Sequence, residues 1–373
     1  MKALLTINTG SSSVKFRLFG LSDSLPLLAG GKVTGIGNCP QWREINALGE
    51  VGPASPMEPT LDHDGAVDAI LQWLDEHPDV SELAAVAHRI VHGGDRYTFP
   101  PVLTQTELSE LAVLNPLAPQ HQPHNLDGVR IFSRKRPGLP QYGCFDTAFH
   151  AGQETLFTRY ALPEKLYAQG VRRYGFHGLS FAWVVHRLNS EYEHLARGRV
   201  VAAHLGNGAS LCAIKAGRSI ETTMGLTALD GLPMGTRCGS LDPGVILYLQ
   251  RQLGYSLEDV EHLLYCESGL LGLSGISNDV QSLLASDAPE ARFALDYFVL
   301  KTAQHIARMA VAIGGMDALV FTGGIGENSQ EIRLAIVSLL ALLQPFEVLV
   351  IPANEERQMA LEVWNAFGES LLN

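Results

Sequence analysis

The chain is short of positive charge, has few cysteines and lacks any long apolar run. Its 27 Lys and Arg stand against 39 Asp and Glu, a net charge of −12. That speaks against a nucleic acid or an anionic membrane as partner, while leaving room for local positive pockets that hold small anions. The five cysteines are odd in number, scattered, and never in C-x-x-C spacing, so a reducing cytoplasm is the expected compartment. No apolar stretch is long enough to span a bilayer, and no signal-peptide h-region precedes the first strand. G-x-x-x-x-G-K-[ST] is absent, which excludes a Walker-type loop. H-E-x-x-H is absent too. At 373 residues the chain is too long for one typical core, so two domains are expected.

Three glycine turns stand out against that background. Ala3 to Phe19 reads as an apolar strand, a turn Gly10-Ser11-Ser12-Ser13, and an alternating strand through Lys15. Backbone N–H groups, hydroxyls, an amide and one lysine in such a turn can bind phosphate oxygens. Arg199 to Ile214 repeats the design around Gly206-Asn207-Gly208, and Ala318 to Ser329 runs from a strand into Gly323-Gly324-Ile325-Gly326 and then a helix. Any one of these is an ordinary turn. Three, each directly after a buried strand, suggest a duplicated domain whose turns serve one phosphate chain.

Periodicity fills in the rest. Helices are expected over 65–76, over 104–114 with Thr104 and Glu107 in capping-box spacing, over 153–168, near 180–195 and over 291–313. The long one should bury Ala294, Leu295, Phe298, Val299, Ala303, Ile306 and Val311. Strands are expected over 83–91 and 142–145, whereas 20–60 reads as irregular strands and loops. No low-complexity linker appears, so the domain boundary near 147–150 must be a compact hinge.

Arg89 and Arg237 each end an apolar segment in a Gly-rich turn, where a guanidinium fork suits carboxylate or phosphate. Asp146, at a strand end, either holds Mg²⁺ or caps the following helix. His88 and His92 lie four apart but not on a helix, which argues against zinc. His177, between two glycines, is the better histidine for touching a transferring group. Ser12 to Lys15 fits S-x-x-K, but S-D-N and K-T-G are missing and the reading is discarded.

Taken together, Asn8 to Phe16, His88 to Gly94, Phe145 to His150, Tyr174 to Gly178, His204 to Gly208, Met234 to Gly239 and Gly323 to Ser329 resemble the acetate kinase family, in family order over nearly the whole chain. The resemblance implies an α/β fold of duplicated ribonuclease H-like type, shared with sugar kinases, Hsp70 and actin, with mixed sheets flanked by helices. It implies an N-terminal domain over 1–148 to which a helix at about 357–373 returns, a nucleotide-binding domain over 149–356, a cleft between them that closes on nucleotide, and a homodimer. The activity implied is reversible transfer of the ATP γ-phosphoryl group to acetate or another short-chain carboxylate, with Mg²⁺ or Mn²⁺. By matched position, Asn8 and Glu355 serve the metal and Lys15 faces the phosphates. Arg89 holds the acyl group, in a pocket lined by Val91, Gln120, Phe176 and Ala228. Asp146, His177 and Arg237 act on the transferring phosphoryl. His204, Leu205, Gly206, Asn207, Gly208, Asp279, Val280, Gln281, Gly324, Ile325, Gly326, Glu327 and Asn328 line the nucleotide.

Four positions depart from the family pattern. Asp279-Val280-Gln281 carries glutamine where arginine is usual. Gln120 and Gln122 stand for Leu and Asn, and Ala228 stands for Pro. A missing proline opens space for a longer acyl tail, so a propionate kinase is the nearest alternative. A nucleotide switch without catalysis is the alternative from another class. It would have no need of Arg89, Asp146, His177 and Arg237 together.

Overall fold

A computed structural model describes residues 1–372, and its backbone divides into two compact units. The first is Met1–Ala148 with the chain from Asn354 onward, and the second is Phe149–Ala353.

The first unit is built on a seven-stranded sheet. Its strands are β1 (Lys2–Thr9), β2 (Ser13–Gly20), β3 (Leu27–Thr34), β4 (Gln41–Ile45), β5 (Ser55–Pro56), β6 (Glu82–Ile90) and β7 (Gln141–Phe145). The spatial order is β5-β4-β3-β2-β1-β6-β7. β1 pairs antiparallel with β2 and parallel with β6, and β6 pairs parallel with β7. The stretch 20–60, expected to be irregular, therefore contributes two regular strands that extend the hairpin. One face of the sheet packs on α1 (His63–Asp75) and α3 (Gln122–Lys135) through Ala3, Leu5, Ile7, Val14, Phe16, Leu18 and Phe132. Trp42 and Trp73 pack on Phe16 with ring centroids 5.3 and 5.2 Å away. The other face carries the C-terminal helix Glu355–Leu372, where Phe367 lies 4.5 Å from the Tyr142 ring. The expected end of that helix at Asn373 lies outside the described residues. α2 (Gln105–Ala112) opens with the anticipated capping box: Thr104 takes the Thr106 N–H and Glu107 takes the Thr104 N–H.

The second unit repeats the plan with β8 (Arg199–Leu205), β9 (Ala209–Lys215), β10 (Arg218–Thr222), β11 (Ala318–Thr322) and β12 (Glu347–Val350), ordered β10-β9-β8-β11-β12. Again a central strand has an antiparallel hairpin on one side and two parallel strands on the other. The helix Pro289–Ile313 packs here as the periodicity requires, except that Val311 is 80% exposed. The helix expected over 153–168 is two single turns, Thr155–Thr158 and Glu164–Tyr167, split at Pro163, which has no N–H to continue the ladder. The glycines of Gly323–Asn328 form a helical turn themselves rather than a loop before a helix.

The N-terminal half of α3 ties the strand ends together. Asn125 donates from Nδ2 to the Thr9 carbonyl at 2.7 Å and accepts the Val91 N–H at 3.0 Å. Gln122 accepts the His92 N–H at 3.0 Å and donates to the His92 carbonyl at 2.8 Å. Both amides are buried. Asn125→Ala should therefore strand a buried donor and a buried acceptor, at about 1–3 kcal/mol each. A urea titration followed by tryptophan fluorescence should show an earlier first transition, and an unchanged midpoint would contradict the brace.

Candidate active site

The carboxyl ends of parallel strands are where α/β sheets leave polar groups to bind ligands. In the first unit that edge presents Asn8, Arg89 and Asp146. They share a face because side chains alternate along each strand, and Ile7, one residue before Asn8, belongs to the opposite, α1-facing core. Cys144, two residues before Asp146, faces the C-terminal helix, with its Sγ 3.8 Å from the Met359 carbonyl. Glu355, the first residue of that helix, reaches the same place.

Arg89 is the centre of the group. Its Nε and Nη2 donate to the two oxygens of Asp146 at 3.0 and 2.7 Å, a bidentate fork, and its Nη1 donates to Glu355 at 2.6 Å. Burial by itself would lower the Arg89 pKa, but the Asp146 and Glu355 carboxylates outweigh it and hold the guanidinium above its usual range. Asp146 thus serves the arginine. Five N–H donors less three leaves two on Arg89 for a further anion.

Val91 and Gln120 belong to this unit as well. Val91 is buried with its N–H on Asn125, and Gln120 is half-buried. Lys15 stands opposite Asn8 in the β1–β2 ladder and is exposed. The turn between the two strands closes with Gly10 N–H to Ser13 O at 2.8 Å, and His63 Nε2 holds the Gly10 carbonyl at 2.8 Å. His88 is a core histidine. It bonds Gln141, and burial lowers its pKa to about 3, so it is neutral.

The second unit gathers a different set. His177 adopts a left-handed conformation (φ 57°) at the start of the helix Gly178–Glu191. Its ring stacks on His204 at 4.3 Å, and its Nδ1 lies 2.9 Å from Ser210 Oγ. His204 Nδ1 lies 2.8 Å from Ser180 Oγ. Gly208 closes this group. A Cβ there would sit 3.4 Å from His177 Nε2 and 3.9 Å from Arg237 Nη1, so the bare glycine leaves its backbone open between the two side chains. Arg237 donates to the Ala228 carbonyl at 3.1 Å. Among the described residues it pairs with no carboxylate, and burial lowers its pKa. A largely buried cation without a counter-ion is the signature of a site for an anion. The Phe176 carbonyl takes His150 at 3.0 Å, with the phenyl ring fully buried.

Beside these lies a cavity of about 480 Å³ lined by Gly206, Asn207, Asp279, Val280, Gln281, Gly324, Ile325 and Asn328, with Leu284 and Ser329 completing it. No cation lines it. Asp279 is held on the Ser282 N–H, which lowers its pKa and makes it the cap of the helix Val280–Leu284. Leu205 and Gly326 are buried backbone behind the cavity, and Glu327 is structural, taking the Gly323 and Ala353 N–H groups. Leu284 and Ser329 went unread in the sequence. The short helix carrying Leu284 has too few turns to show a period, whereas Ser329, next to the glycine run, was within reach.

Two mixed sheets of one topology, each with polar groups at the ends of its central strands, describe a duplicated phosphotransferase fold. The Acetokinase family model matches residues 3–361. The chain is 47% identical over 347 residues to an acetate kinase of Nitrobacter hamburgensis, covering 92% of this chain and 86% of that one. It is 45% identical to an acetate kinase of Rhodopseudomonas palustris, with 91% and 86% covered. Among solved structures, a propionate kinase from Francisella tularensis superposes with a TM-score of 0.90 at 33% identity, covering 97% and 99%. Porphyromonas gingivalis acetate kinase gives 0.86 at 32% identity, covering both chains fully. The chain belongs to the acetokinase family. It is a phosphotransferase with a carboxyl group as acceptor and a nucleotide as phosphoryl donor.

The two arginines should respond differently to loss of charge. Arg237→Met removes an unpaired buried cation, so the thermal midpoint should hold or rise. Turnover should fall roughly 10²–10³-fold, the usual loss for one preorganised charge. Arg89→Met leaves Asp146 buried without its partner, at about 3–5 kcal/mol, so both midpoint and turnover should fall. Equal midpoints for the two variants by calorimetry would contradict the assignment.

Proposed function

We propose that this protein catalyses reversible phosphorylation of acetate by ATP, giving acetyl phosphate and ADP. The observation that carries the reading is Arg237, a half-buried cation that pairs with no carboxylate among the described residues, beside His177 and the Gly206–Gly208 turn. A carboxylate is already deprotonated at pH 7 and needs no strong base. The difficulty lies in joining two anions and stabilising charge on the equatorial phosphoryl oxygens. Arg237, His177 and the Gly208 backbone supply positive potential for the phosphoryl group, and the two spare donors of Arg89 take the acyl carboxylate. A carboxylate oxygen attacks the γ-phosphorus as the bond to the β-phosphate oxygen breaks, and ADP leaves. The cavity along Asp279–Gln281 and Gly324–Asn328 suits the nucleotide.

Mg²⁺ fits the donors present. Among the described residues no three His, Cys, Asp or Glu side chains form a metal cage. Mg²⁺ asks for less, one or two carboxylates with waters and substrate phosphates. Asn8, Glu355 and, through water, Asp146 would hold it, and it would neutralise the phosphate oxygens. Arg89 meanwhile holds both carboxylates in place through three hydrogen bonds.

The homodimer rests on an exposed apolar face. The helix Pro243–Gln252 buries none of its residues, and Val245, Leu247, Tyr248, Leu253, Tyr255 and Leu257 are all exposed. Arg251 is the helix's only charged residue. A patch this large and bare on a monomer marks an interface. The five thiols are free, in keeping with a cytoplasmic setting. Among the described residues no helix is long and apolar enough to cross a membrane.

Two measurements test these readings. Hydroxylamine trapping of acyl phosphate should show activity that depends on Mg²⁺. Propionate should lie within tenfold of acetate in kcat/KM, because Ala228 leaves room for one methylene and tenfold, about 1.4 kcal/mol, is near the low end of what one methylene discriminates. No product with either acid sinks the assignment, and a larger acetate preference closes the pocket. Sedimentation equilibrium should give twice the chain mass, and Leu247→Glu should convert the dimer to monomer. A monomeric parent would reject the interface.

A further inference from the structure

The sheet face turned away from α1 carries a row of cations with no acid among them. Lys15 on β2 pairs across the ladder with Lys32 on β3, and Lys32 pairs with Arg43 on β4. Direct cross-strand partners project from one face. Their neighbours Val14, Phe16 and Val33 point the other way, into the α1-facing core. Arg17 adds a fourth cation on the diagonal, its stem lying over Gly30 and its Nη1 on the Phe16 carbonyl at 2.8 Å. Inward, the row continues to Asn8, the partner of Lys15, and Asn8 stands one residue past the Ile7–His88 pair, level with Arg89.

Among the described residues none of Lys15, Arg17, Lys32 and Arg43 forms an ion pair. Like charges set directly opposite destabilise a ladder. Lys32 registers this: burial, then Arg43, Lys15 and Arg17, lower its pKa. With 39 acids to 27 bases in the chain, neutralising partners were plentiful, yet the acids of this face, Asp146 and Glu355, are held on Arg89 at its inner end. Uncompensated cations lined up toward a reacting group raise the local concentration of anions. Strands lie about 4.8 Å apart, so Lys15, Lys32 and Arg43 span roughly 10 Å. That length suits a chain of phosphates better than a single small anion.

We propose that Lys15, Lys32 and Arg43 form a binding strip for an oligophosphate chain, leading along the sheet to Asn8 and Arg89. The strip deepens the phosphotransferase reading by naming an anion subsite beside the reacting groups, and its test does not depend on turnover. The full chain is titrated calorimetrically with inorganic tripolyphosphate, without nucleotide or acyl substrate, at two salt concentrations. Lys32→Met keeps the aliphatic stem and removes the charge, and it is combined with Arg43→Gln. The double variant should bind tripolyphosphate at least about tenfold more weakly, since two charge-assisted contacts are lost, and with a shallower salt dependence. Its thermal midpoint should hold or rise as the repulsion is relieved. Arg43→Gln alone, at the outer end, should weaken binding about threefold. A dissociation constant within twofold of the parent in both variants overturns the proposal, as does a parent that fails to bind tripolyphosphate at millimolar concentration. Binding confined to the glycine-lined cavity of the second unit would show as an isotherm untouched by the variants, which also overturns it. Hydroxylamine trapping with the parent separately decides the acetate reading.

Discussion

One guanidinium organises the first unit. Arg89 leaves the end of β6, takes both oxygens of Asp146 from the end of β7, and takes Glu355 from a helix 266 residues further along the chain. Each carboxylate alone would resist burial, because an isolated charge in a low-dielectric setting neutralises instead. With the arginine between them, both are held by charge-assisted hydrogen bonds and fixed in direction. The contact also closes the unit, since it ties the returning C-terminal helix to the carboxyl ends of β6 and β7. The Gln122 and Asn125 clamps work one layer further out. They hold the backbone on which Arg89 and Val91 sit, at the cost of two buried amides that are fully engaged with main-chain groups.

The duplicated plan is the same in both units, yet the electrostatics diverge. The first surrounds its arginine with carboxylates, and the second leaves Arg237 with carbonyl and thioether contacts only. Identical topology explains why each unit offers polar groups at the ends of its central strands. It does not explain which sign of charge they carry. That is set by a few residues at strand ends, and an arginine with three of its five donors on carboxylates differs chemically from one that pairs with none among the described residues. The first is suited to orienting groups, and the second to receiving charge as it develops on a phosphoryl group.

Much of this was legible in the sequence where local rules decide the outcome. The two hairpins were readable because a buried strand followed by small residues has few alternatives. The Thr104–Glu107 cap was readable because it needs only four residues. The helix expected over 153–168 failed at Pro163, where a missing N–H outweighs apolar spacing. Val311 failed because it lies on the helix face opposite the one its neighbours Ala310 and Ile313 bury. The strands within 20–60 were hidden by their glycines, which in β3 let the Phe16 ring and the Arg17 stem pack closely. The helix Pro243–Gln252 escaped because its apolar residues face outward, so no one-sided periodicity marks it.

The site shows the same division more sharply. Arg89 and Asp146 could be singled out as charged residues at strand ends, but their union with Glu355 could not, because no spacing rule links positions that far apart. Sequence reasoning left Asp146 open between a helix cap and a metal-orienting acid. The structure adds a third partner that neither reading named, the bidentate fork from Arg89. Gln122 shows the reverse case. In the sequence it stands out only as a departure from the family pattern. Its two bonds to the His92 backbone instead make it part of the scaffold, and its extra methylene relative to asparagine is what lets one amide reach both the N–H and the carbonyl. A substitution near a substrate pocket is thus not evidence about the substrate until the partners of its polar atoms are known.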